Sequence, residues 1–145
     1  MRTLFSSLIF CLLFLTGCEL FQSNSSSHRD LWESKNITSY SFEYNRGCFC
    51  AYRGPVVVVV KNSQITNILD PTTNQPFSPA RSADWYETID QIFDEIDELK
   101  AGKPQLLDVT YDPTYGFPNS INYNQSDMIA DEEFNLTITN FKILP

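Results

Sequence analysis

One histidine, His28, is all the imidazole in this 145-residue chain, and it lies near the N-terminus. Catalysis by a Ser-His or Cys-His arrangement is therefore excluded from the body of the chain. Zinc is disfavoured on the same ground, because Cys48 and Cys50 supply only half of a tetrahedral set. Basic residues are scarce as well: ten Lys and Arg against eighteen Asp and Glu give a net charge of -8. Nucleic acid and anionic lipid both demand a basic face, so neither is expected as a partner of the folded part. There is no Gly-x-Ser-x-Gly elbow, no phosphate loop and no metalloprotease helix. The chain reads as non-enzymatic and without a cofactor. Core-forming residues, in contrast, are plentiful. With 42% hydrophobic and 14% aromatic residues, wholesale disorder is excluded, and the length suits one domain plus a tether.

The N-terminus reads as an address. Arg2 is followed by a nearly apolar run from Leu4 to Leu15. As a helix, that run rises ~18 Å, short of the ~30 Å hydrocarbon core of a bilayer. A charged start, a short apolar stretch and small residues at its end make an export signal. That end, Leu15-Thr16-Gly17-Cys18, resembles the lipobox of bacterial lipoproteins. The resemblance implies a signal peptide over 1–17, removed before Cys18, whose thiol and amine are then acylated. Cys18 would hold the protein to the lipid bilayer of the cell envelope, with two or three chains making the attachment lasting. Glu19, rather than Asp, implies the outer membrane if the host is Gram-negative. Losing residues 1–17 removes Arg2 and no acid, so the net charge of -8 becomes -9. Residues 18–28 are expected to be a flexible tether that ends on a solvated His28, and residues 29–145 a single domain.

Within that domain, the segment from Arg29 to Lys35 suits a short helix. Ser39 to Tyr44 alternates as a half-buried strand with Tyr40, Phe42 and Tyr44 inward. Five consecutive valines, Val56–Val60, predict a central strand covered on both faces, and Lys61–Gln64 a tight turn into a strand at Ile65–Leu69. Residues 70–87 carry three prolines and no periodicity, which predicts a long loop. Trp85, Ile89, Ile92, Ile96 and Leu99 mark a helix, with a Thr88/Gln91 or Asp84/Glu87 capping box and a stop at Gly102 and Pro104. Three strands follow, around Leu107–Tyr111, Ile121–Tyr123 and Phe134–Ile143, the last with a bulge near Thr139-Asn140. The expected fold is α+β: a single curved, mainly antiparallel sheet on one long helix, in the order α-βββ-α-βββ. That order also allows a diverged αβββ repeat.

Several of these residues carry a family likeness. Trp32, Tyr40 and Phe42, the triplet Cys48-Phe49-Cys50, Gly54-Pro55-Val56, Thr88-Ile89-Asp90 to Ile96, and Tyr111-Asp-Pro-Thr-Tyr-Gly-Phe-Pro118 occur in this order. Together they resemble a family of small bacterial lipoproteins known only as a domain of unknown function, across about residues 31–141. The resemblance implies an envelope location and a single domain, and no mechanism.

Cys48 and Cys50 are the sharpest chemical feature. On a regular strand, residues i and i+2 lie ~6.5 Å apart, near the limit for a disulfide, so closure needs a kink, which Gly47 would supply as a bulge. A loop this small gives ~1.6 kcal/mol in the chain-entropy model, which leaves a structural disulfide, a redox-active pair and reduced thiols all open. Unbroken strand phase turns both cysteines toward the core. Asp127, Asp131, Glu132 and Glu133 lack the ladder of a calcium loop and read as a solvated hairpin. The turn Asp112–Pro118 is either structural, with Gly116 at a special backbone angle, or a recognition edge. In the second case Tyr115 and Phe117, beside Phe77 and Trp85 of the long loop, would contact a partner. The functional expectation is thus a non-enzymatic envelope lipoprotein that binds another envelope protein, with thiol–disulfide exchange at Cys48/Cys50 as the alternative.

Overall fold

The protein is described here by a computed structural model covering residues 25–50 and 54–145. The expected signal peptide, Cys18 and the first part of the tether lie outside these residues. The elements are α1 (Ser25–Ser34), β1 (Tyr40–Cys48), β2 (Val56–Lys61), β3 (Gln64–Leu69), α2 (Ile89–Ala101), β4 (Leu106–Tyr111), β5 (Pro118–Asn124) and β6 (Phe134–Ile143). A 3₁₀ turn at Ala83–Trp85 precedes α2. The strands form one six-stranded sheet in the order β3-β2-β1-β6-β5-β4, antiparallel at every pairing. The sheet is open, with β3 and β4 at its edges. Among the described residues, no helix is long and apolar enough to cross a membrane.

Alternation decides which face is covered. Tyr40, Phe42 and Tyr44 on β1 pair with Val60, Val58 and Val56 on β2, and all six are fully buried. Ile121, Leu136 and Ile138 continue that surface across β5 and β6, under Ile89, Ile92, Phe93 and Ile96 of α2 and Trp32 of α1. Both helices therefore lie on one face. Burying Trp32 obliges its Nε1 to find an acceptor, which is Asp90 Oδ1 at 2.9 Å. Tyr40 hydroxyl likewise accepts from the backbone amide of Ile89 at 3.1 Å.

Several expectations are met in detail. Thr88 and Gln91 form the capping box: Gln91 N donates to Thr88 Oγ1 at 3.3 Å, and Thr88 N to Gln91 Oε1 at 2.8 Å. Asn62 and Ser63 both have positive φ (49° and 61°), the signature of a type I′ hairpin turn. The β1–β6 register slips between Ser41 and Glu43, opposite Asn140 at φ 52°, and this bulge returns Phe141 to the covered side.

Other expectations need correction. The single long helix is a 13-residue α2, shared with a second helix, α1. Helix α1 begins at Ser25, so residues 25–28 belong to it rather than to a flexible tether. His28 is not a solvated linker residue either, because its ring stacks on Tyr111 at 4.2 Å and 8°. Composition suggested a tether because serine-rich segments read as linkers; tertiary packing overrides that preference. The valine run is covered on one face only: Val57 and Val59 are half-buried, and β2 lies one place from the sheet edge. A repeat is excluded by geometry. Mapping β1 onto β4 reverses the strand direction while preserving lateral order, which would put the two helices on opposite faces.

Candidate functional site

The turn from Asp112 to Pro118 is structural. Asp112 Oδ1 accepts from the amides of Thr114 and Tyr115 at 2.8 and 2.7 Å, and Gly116 N donates to Asp112 O at 2.9 Å. Gly116 has φ +85°, and a Cβ there would collide with the carbonyl of His28 where α1 crosses the turn. Phe117 points into the core at 4% exposure, with ring centroids 4.7 Å from Phe141 and 6.3 Å from Trp32. Tyr115 is half-buried on the same cluster. The expected partner contacts Tyr115 and Phe117 are therefore packing residues, and the structure does not unite them with Phe77 and Trp85. Phe77 is half-buried and lies 3.8 Å beneath the guanidinium of Arg81. Trp85 remains 47% exposed on the 3₁₀ turn.

The most exposed aromatic among the described residues lies instead at the end of β1. Strand phase holds through Arg46 and Cys48, which oppose Leu136 and Phe134 on the covered face. The strand ends there, and the chain bends at Phe49 and Cys50. Cys48 is half-buried, while Cys50 is exposed and Phe49 is 81% exposed. The expectation that both cysteines face the core fails because the phase stops at Cys48. The two sulfurs are in disulfide-like contact with Cα atoms 5.2 Å apart. The kink that brings them together is at Phe49 and not at Gly47, whose pairing with Asn135 is in register. Gly47 has a different part: a Cβ there would come within 2.9 Å of Asn135 Oδ1, so the Asn135 amide lies over the glycine.

Beside this tip, on the face away from the helices, is a groove of about 410 Å³. Gly47, Asn135 and Asn122 form a row across β1, β6 and β5 on its floor. Phe49, Leu106, Asn124 and Glu133 also line it. The amides of Asn122 and Asn135 make no hydrogen bond to another described residue. Asn124 differs, since its Nδ2 donates to Asp127 Oδ1 at 2.9 Å and its Oδ1 is buried without a partner. No Lys or Arg is among the described residues that line the groove.

On the helix side, the end of β1 is held by Arg46. Its side chain is 8% exposed, bonds Glu95 at 2.5 Å, lies 3.6 Å from Glu87, and sits 4.2 Å over the ring of Phe134. Burial pulls its pKa down, but Tyr44, Glu95 and Glu87 outweigh burial and raise it. Tyr44 hydroxyl donates to Glu87 Oε2 at 2.5 Å. Burial chiefly, with Glu87 and Glu95 nearby, pushes the Tyr44 phenol far above its ordinary range. The detectable signal was phase: Arg46 falls in step with Tyr40, Phe42 and Tyr44 and so faces inward. The acidic residues Asp127, Asp131, Glu132 and Glu133 are exposed, and no metal-binding group of His, Cys, Asp and Glu occurs among the described residues.

This geometry defines a class first: an α+β domain with an open antiparallel sheet, helices on one face and a polar groove on the other. Within it, the chain belongs to a family of unknown function, DUF6174, whose model matches residues 24–143. That span includes all of α1, in keeping with its place in the domain. No curated protein and no solved structure matches the chain.

Proposed function

We propose that this protein is a non-enzymatic binding module of the bacterial cell envelope, anchored through acylated Cys18. It engages its partner with the Cys48-Phe49-Cys50 tip and the groove beside it. The observation that carries this reading is the exposure of Phe49, 81%, on a segment bracketed by two contacting cysteines. A large aromatic side chain held outward costs little further ordering when it meets a partner, which is the property of an interface anchor. Trp85, the other exposed aromatic among the described residues, is 47% exposed against 81% for Phe49 and is not bracketed by cysteines. The anchor itself rests on the lipobox-like Leu15-Thr16-Gly17-Cys18.

Two measurements test this. Labelled palmitate should enter the wild-type chain and not Cys18→Ala. A photo-crosslinking amino acid in place of Phe49 should give discrete adducts in cells, while the same residue in place of Trp85 gives none. Adducts at 85 alone would overturn the assignment of the tip.

The exposure of Cys50 favours a second reading, thiol–disulfide exchange with a partner dithiol. A partner thiolate attacks Cys50 Sγ, the bond to Cys48 breaks, and Cys48 leaves as thiolate. The partner's second thiolate then resolves the mixed disulfide, so the partner is oxidised by two electrons and the Cys48/Cys50 pair is reduced. Counting thiols by mass after alkylation across graded glutathione buffers decides it. Pairing that persists until strong reduction removes the redox reading.

A further inference from the structure

We propose that the groove on the open face of the sheet is a binding site for an uncharged saccharide; this rests on the reading of the Phe49 tip as a binding element. The floor supplies the chemistry. Each asparagine amide presents a donor pair and an acceptor in one plane, matching a hydroxyl that both gives and takes a hydrogen bond. Asn122 and Asn135 face one another across β5 and β6, with Cβ atoms ~4.5–5.5 Å apart as in any directly opposed antiparallel pair. That spacing lets one sugar ring meet both amides. Neither amide is engaged with another described residue, so no internal bond has to be broken first. Gly47 makes room for the Asn135 amide that lies over it, because a Cβ there would push on that amide.

The walls narrow the ligand class. Phe49 offers an exposed ring at the rim, a surface for the apolar C–H face of a pyranose. No cation lines the groove among the described residues, and Glu133 contributes a negative charge. Phosphorylated or carboxylated ligands would meet repulsion from Glu133, at a chain whose net charge is -8. A polyhydroxylated, uncharged ligand suits amides, one carboxylate acceptor and an aromatic face together. An apolar ligand would leave the amides desolvated and unpaired, which is costly.

The test uses the full chain in a non-glycosidic detergent, so that the detergent brings no competing sugar. Chitotetraose, cellotetraose and maltotetraose are titrated separately while the side-chain amide resonances of Asn122 and Asn135 are followed by NMR. At least one saccharide should shift both amides saturably. Asn122→Ala and Asn135→Ala should each weaken that binding by about fivefold to tenfold, the loss of one or two net hydrogen bonds. Phe49→Ala should weaken it further, and Phe49→Tyr should restore it. These side chains are exposed, so the variants keep the wild-type circular dichroism. If none of the three saccharides moves the amides, the saccharide assignment is wrong. In that event protein adducts at position 49 would leave the binding-tip reading standing with a peptide partner. Absence of adducts as well would remove both.

Discussion

Two segments of this molecule each read one way on paper and behave the other way in the fold. Asp112–Pro118 holds two aromatics among turn-forming residues, which is the composition of an exposed recognition loop. Cys48-Phe49-Cys50 continues a strand whose alternate residues are all core, which is the pattern of an interior segment. Yet Phe117 is 4% exposed and Phe49 is 81% exposed. What separates them is long-range. Helix α1 crosses the first segment at Gly116 and closes Trp32 over Phe117. Nothing among the described residues closes over Phe49, because β1 ends one residue earlier. Local composition proposes a surface, and the neighbours that arrive from elsewhere in the chain decide whether it stays one.

The contrast can be broken by substitution, and Phe117→Ala should have the largest effect. Emptying that site under Trp32 and Phe141 should cost about 3–5 kcal/mol, measured by urea unfolding; a change below 1 kcal/mol would return the turn to the surface. Arg46→Met comes next. It removes the pairing of β1 with Glu95 and Glu87, and charged hydrogen bonds of this kind contribute roughly 1.5–3 kcal/mol, reduced here because both carboxylates keep some solvent. Asp112→Ala, which deletes two backbone-to-carboxylate bonds, should lose about 1–2 kcal/mol. Phe49→Ser should leave stability within about 0.5 kcal/mol while abolishing saccharide binding. Equal losses for Phe49→Ser and Phe117→Ala would erase the distinction between the two segments.

A pH series sharpens the same comparison. The Tyr40 and Tyr44 phenols are raised well above their ordinary value, chiefly by burial, and that of Tyr111 is pushed up to about 12 by burial and Asp97. A group that holds its proton more tightly when folded stabilises fully below its unfolded pKa and loses that contribution as pH rises. Stability should therefore be flat to neutral pH and fall above about pH 10, where unfolded tyrosine ionises. Tyr44→Phe should flatten that alkaline limb. A substitution at the exposed tip, such as Phe49→Tyr, should leave the limb unchanged.

Much of the architecture was legible because it is local. The alternation from Tyr40 to Tyr44, the Thr88/Gln91 box, the Asn62-Ser63 turn and the Asn140 bulge are all written in adjacent residues. What escaped reading depends on residues far apart. Arg46 is buried by Glu95, 49 positions away, and His28 is held by Tyr111 across the sheet. The groove escaped as well. Its asparagines sit at outward strand positions, where polar residues need no explanation, and only the sheet order brings Asn122 beside Asn135.

The strand register also fixes where the ends of the sheet point. Cys48 is level with Phe134, Tyr123 and Leu107, whereas His28 rests against Tyr111 and Gly116 near the opposite end. Helix α1 begins at Ser25, seven residues after Cys18, a distance no extended chain can stretch beyond ~25 Å. With the anchor proposed above at Cys18, a leash that short would keep the Tyr111 end toward the bilayer. The Phe49 groove would then face outward into the aqueous compartment, and the same helix that hides one aromatic turn would also set the direction in which the other aromatic tip looks.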